Sequence, residues 1–72
     1  MTYEQAVVAL RQRGLTVGEG AMRKDGVVFI PITAPHGTVQ VRTIEVIEMA
    51  ENRCSLDHIH ARRQKETLET NN

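Results

Sequence analysis

Cys54-Ser55-Leu56-Asp57-His58-Ile59-His60 puts a thiol, a carboxylate and two imidazoles close together in the chain. Zinc ligands and nucleophile–base pairs are made from these side chains. On a helix Cys54 and His58 share a face; on a strand Cys54, His58 and His60 share one. Either geometry supplies two or three of the four ligands of a tetrahedral Zn²⁺, with His36, Asp57 or a second subunit completing the set. The spacing matches no zinc motif, and histidines on a short polar segment are ordinarily surface residues. A metal site at Cys54, His58 and His60 is therefore the third reading of this chain. For nucleophilic chemistry the same segment offers Cys54 with His58 and Asp57. Such chemistry needs a pocket that excludes water and shifts pKa values. A chain of 72 residues with a small aliphatic core has little room for one. The sequence reads as non-enzymatic, and no cofactor is expected.

The second group of chemically capable residues is basic: Arg11, Arg13, Arg23, Lys24 and Arg42. If the end of the first helix lies near residues 23–26, four of them form one patch able to position phosphates. The alternative is a solvated charged face, which the balanced charge of nine basic and nine acidic side chains favours. Residues 1–44 carry a net +2 and residues 45–72 a net −2, a slight asymmetry. Arg62, Arg63 and Lys65 are answered by Glu66 and Glu69, with Arg62–Glu66 and Lys65–Glu69 at i,i+4 spacing. That run reads as a solvated tail. Gly18-Glu19-Gly20 is not a phosphate loop, since it lacks the third glycine and the following Lys-Ser/Thr, and Glu19 repels anions.

The elements that carry these residues are partly legible. Thr2-Tyr3-Glu4-Gln5 is a capping box, and Tyr3, Ala6, Val7 and Leu10 form an apolar stripe behind it. Gly14 at C′ and Leu15 at C″ suit a Schellman ending, which predicts a helix from about Tyr3 to Arg13. Lys24-Asp25-Gly26 and Pro35-His36-Gly37 separate β-favouring runs and predict hairpins around 24–26 and 34–37. Residues 15–23 read as a strand paired with 27–33. The competing reading is a helix capped by Thr16-Val17-Gly18-Glu19. The 27–33 run is apolar on both parities, with Val27 and Phe29 on one face and Val28, Ile30 and Ile32 on the other. Such a strand is expected to be covered on both sides, by the helix and by a second subunit, which makes Val28, Ile30 and Ile32 interface candidates. Pro31 cannot donate to a ladder, so its amide position belongs at an edge or a bulge.

From about residue 43, Ile44, Ile47, Ala50 and Cys54 fall at helical spacing, with Thr43 as N-cap. The β-branched 43–47 run keeps open a strand through Val46 and another at 54–60. Residues 63–72 lack apolar periodicity and are expected to form a disordered tail, leaving one domain over residues 1–62.

A single cysteine, the absence of a secretory pattern and short apolar runs lead to the expectation of a soluble, cytoplasmic, non-membrane protein. The fold class is α+β: an N-terminal helix on a small antiparallel sheet, with a second helix following. Its leading functional reading is a small non-catalytic binding or regulatory module, acting as a homo-oligomer with a protein partner. The runner-up is a nucleic-acid-binding regulator. With 15–23 as a strand, the order resembles, in topology only, the small α-β-β-β-α domains that bind RNA. With 16–24 as a helix, it resembles a winged-helix DNA binder whose wing is the 27–42 hairpin. Exposed aromatics for base stacking are not expected in either case.

Overall fold

The computed structural model describes the backbone of residues 1–70 and the side chains of residues 1–66. The first helix, α1, runs Tyr3–Gln12, and both bonds of its capping box form between Thr2 and Gln5. At its other end Gly14 takes φ +90°. The Leu15 amide donates to the Leu10 carbonyl and the Gly14 amide to that of Arg11, the two bonds of a Schellman motif.

Four short strands follow: β1 Thr16–Val17, β2 Ala21–Met22, β3 Val28–Ala34 and β4 Gly37–Arg42. All pairings are antiparallel, and β3 is the centre. Because β4 pairs along one edge of β3, β1 and β2 share the other and act as one interrupted strand. Thr16 opposes Thr33 and Val17 opposes Ile32, whereas Ala21 opposes Phe29 and Met22 opposes Val28. The register slips by one residue between the two halves, so Gly18-Glu19-Gly20 is a β-bulge. Segment 15–23 is thus strand, which removes the winged-helix order.

The bulge also explains the proline in a central strand. The Pro31 carbonyl accepts from the Gly18 amide at 2.9 Å. In an antiparallel strand a residue's amide and carbonyl face the same edge, so the missing donor of Pro31 falls where the edge strand is already interrupted. A Cβ on Gly18 would stand 2.7 Å from Pro31 Cγ, which is why this position carries none. The expected hairpins both form: Gly26 supplies φ +86° in the first, and Ala34 pairs with Gly37 across the second.

After β4 come α2, Thr43–Ala50, and α3, Leu56–Thr70. The N-cap of α2 is Arg42, not Thr43, and Glu45 reaches back to accept from the Arg42 amide at 2.8 Å. Its buried face is Glu45, Val46, Met49 and Ala50, while Ile44 is 59 % exposed. The stripe expected through Ile44 and Cys54 is therefore wrong. The helix ends before Cys54, with Asn52 at φ 63° in a second Schellman-type turn.

Within the chain the apolar core covers one face of the sheet. Ile30, Ile32, Val39 and Val41 point inward and share a single core with Ala6, Leu10, Val46, Met49 and Ile59. On the opposite face Phe29, Pro31, Thr33, Thr38, Gln40 and Arg42 alternate with them. The face expected to meet a second subunit is instead the one turned inward: Ile30 and Ile32 fill the chain's own core and Val28 packs beside them, while the opposite face lacks such apolar cover within the chain.

Helix α3 overturns the expected tail. The chain is helical from Leu56 through Thr70, and Ile59 is fully buried. Beyond Ile59 its docked face is ionic, through Arg62, Arg63 and Glu66. An apolar periodicity cannot register such a face, and the packed unit extends past residue 62. The Lys65–Glu69 pair lies outside the described residues.

Candidate functional site on the open sheet face

Phe29 stands near the start of the central strand β3, at one end of the open face, and is the point where three cations converge. Arg42 sits directly opposite it on β4, and its guanidinium carbon is 6.0 Å from the ring centroid. On the other side Phe29 opposes Ala21, whose small side chain adds little cover to the half-buried ring. Arg23, two residues on, returns to the same side of the chain and brings its guanidinium carbon to 5.2 Å. Arg63 arrives from α3 at 5.7 Å. Each distance is within the range of a cation–π contact, worth about 0.5–1 kcal/mol where solvent reaches it.

Buried Glu45 sets the position of Arg63. Its side chain is 2 % exposed, and its Oε2 accepts from Arg63 Nη2 at 2.7 Å and Arg62 Nη1 at 2.8 Å. Its other oxygen caps α2. One carboxylate thus receives three donors, which offsets the cost of burying it. The same contacts bind α3 to α2 and deliver Arg63 to the sheet.

The outer cations are held more loosely. Arg23 is 63 % exposed and stands 3.9 Å from Asp25; Arg42 is 47 % exposed and stands 3.7 Å from Glu66. Both separations are longer than a hydrogen bond. Glu66 Oε2 lies 2.9 Å from Arg63 Nη1, so this carboxylate is shared between a close and a distant guanidinium.

Of the five basic residues singled out from the sequence, the fold joins only some. Arg23 and Arg42 meet at Phe29, and Lys24 follows Arg23 in the adjoining turn. Arg11 and Arg13 are engaged elsewhere in structural bonds. Arg11 donates to the Val17 carbonyl, and Arg13 donates to the carbonyls of Met49 and Ala50 at the end of α2. The expected single patch is therefore split. Its missing members are Arg63, expected in a solvated tail, and Phe29, expected on a covered strand face. The alternation of Phe29, Pro31 and Thr33 against Ile30 and Ile32 is the one signal that could have shown Phe29 on an open face.

Ile30 and Ile32 lie in the chain's own core, and Val28 is partly buried beside them. Ile30 and Ile32 thus present no surface to a second copy, which corrects their place as interface candidates. Cys54, His58 and His60 do not assemble. Cys54 precedes α3 and lines an open cleft of about 410 Å³ with Leu10, Leu15, Met49 and Leu56, a lining that contains no histidine. His58 and His60 are exposed and two residues apart on α3, hence on different faces. Asp57 pairs with His36 at 3.5 Å on the surface. Among the described residues no group of three or more His, Cys, Asp or Glu side chains can hold a metal ion. Nor is any described helix long and apolar enough to cross a membrane.

No family model, curated protein or solved structure matches this chain.

Proposed function

We propose that this protein is a small non-catalytic binding module whose working surface is the open sheet face around Phe29, and that its partner is anionic. The observation that carries the reading is the convergence of Arg23, Arg42 and Arg63 on one ring. Arg23 and Arg42 are exposed, repel one another across the ring and hold their carboxylates only at long range, while Arg63, 14 % exposed, is answered closely by Glu45 and Glu66. An incoming anion relieves that repulsion and gains charge-assisted bonds. The homo-oligomer expected from a doubly apolar strand has lost its motive, because Ile30 and Ile32 are satisfied within the chain.

Amide NMR during titration with inorganic polyphosphate tests the reading. Shifts confined to residues 21–29, 40–42 and 62–66 are the expected result. A spectrum unmoved at low salt, or shifts spread over α1 and the Cys54 cleft, would sink it.

A further inference from the structure

Resting on the reading that this face is the working surface, we propose that its ligand is single-stranded nucleic acid. Arg23, Lys24 and Arg42 meet backbone phosphates, and a base stacks on the layer formed by Phe29 and its guanidiniums. Glu66 is the chain's own occupant of the phosphate position.

The distribution of charge supports a phosphate. Glu66 places one oxygen 3.7 Å from Arg42 and the other 2.9 Å from Arg63. A carboxylate bridging two guanidiniums presents its acceptors much as a phosphate does, and phosphate carries more of them. Arg42 is the side chain that gains most, since its present contact exceeds hydrogen-bond length and nearly half its surface is open. Phosphate arriving at Arg42 displaces Glu66 there, while Arg63 keeps its bond to Glu45.

The aromatic ring decides between anions. A run of acidic side chains satisfies the cations but brings no planar ring of its own to lay on Phe29 and its guanidiniums. Nucleobases do, and stacking on aromatic rings and guanidinium planes is how single strands are held without reading sequence. The ring lies between cations on β2's extension and on β4, two strand intervals or about 10 Å apart. One backbone crossing the sheet meets both. A duplex hides its base faces within its own stack and leaves the ring unused.

Fluorescence anisotropy tests this with labelled oligouridylate and oligothymidylate of about 12 nucleotides. The matching duplex, polyphosphate and polyglutamate are measured alongside. Single strands are expected to bind more tightly than the duplex and to weaken steeply with salt. Replacing two phosphate contacts in R23A/R42A is expected to lower the slope of log K against log salt by about 1.4. Phe29→Leu, which keeps apolar bulk but removes the ring, is expected to weaken oligonucleotides about fivefold or more and leave polyphosphate unaffected. E66Q is expected to tighten single-strand binding about two- to fivefold, and E4Q, the same charge change on α1, to do less. Circular dichroism confirms that each variant is folded.

Polyphosphate or polyglutamate binding without oligonucleotide binding overturns the nucleic-acid assignment and leaves the anionic-partner reading standing. Preference for the duplex, or indifference to Phe29→Leu, overturns the stacking geometry. Failure of every polyanion to bind the folded protein overturns both.

Discussion

Glu45 shows how one side chain can organise a surface it does not itself belong to. It is the only charged residue in the described core, and its two oxygens take one backbone and two guanidinium donors. A sequence reading sees a carboxylate in the first turn of a helix, well placed against the dipole. Only the fold brings Arg62 and Arg63 to it from 17 and 18 residues away. Removing one partner of a buried pair strands the other, a loss larger than the pair's own net worth. Arg62 is 40 % exposed, which screens part of that loss. Glu45→Ala is therefore expected to cost about 2–3 kcal/mol in urea unfolding. A loss below about 0.5 kcal/mol, the scale of ordinary surface substitutions, would show that α3 does not depend on it.

Two elements owe their positions to contacts that neither encodes alone. Arg13, the C-cap of α1, donates at 2.9 and 2.8 Å to the Met49 and Ala50 carbonyls, so one helix end caps the other. The last carbonyls of a helix lack intrahelical partners, and a guanidinium fork can satisfy two of them at once. Arg13→Ala is expected to cost about 1.5–3 kcal/mol. Arg13→Lys should recover only part, since a single ammonium lacks the planar fork; full recovery on thermal melting would refute the two-carbonyl bridge. Helix α3 depends on Ile59 in the same way. Ile59→Ala is expected to cost about 2–4 kcal/mol. Ile44→Ala, at a residue the α2 register turns to solvent, should stay within about 0.5 kcal/mol. Equal losses in chemical denaturation would place the α2 stripe back at Ile44.

At the scale of the whole molecule, the single core is small and its margin thin. A domain of this size has roughly 3–5 kcal/mol in hand, and each kcal/mol moves the melting temperature by about 4–8 °C. A chain ending at Arg62 loses Arg63 and with it one of Glu45's three donors. Its melting temperature is expected to fall by about 4–8 °C or more. An unchanged melt would mean that the folding unit closes at residue 62 after all.

The sequence by itself determined the local devices: the Thr2–Gln5 capping box, the Gly14 and Leu15 ending of α1, the Asp25-Gly26 turn and the need for an edge or a bulge at Pro31. These depend on residues within a few positions of one another, where backbone sterics and nearby donors act alone. It also determined the α+β class, through alternating periodicities. The tertiary structure decided which face of β3 stayed open, which residues α2 buried, and that the polar segment beyond residue 62 would dock. Those outcomes rest on Glu45 meeting Arg62 and Arg63 across the chain and on α1 and α2 covering one side of the sheet. Ion pairs between distant residues leave no periodic trace in a sequence, because their energy depends on burial that exists only after the chain has closed.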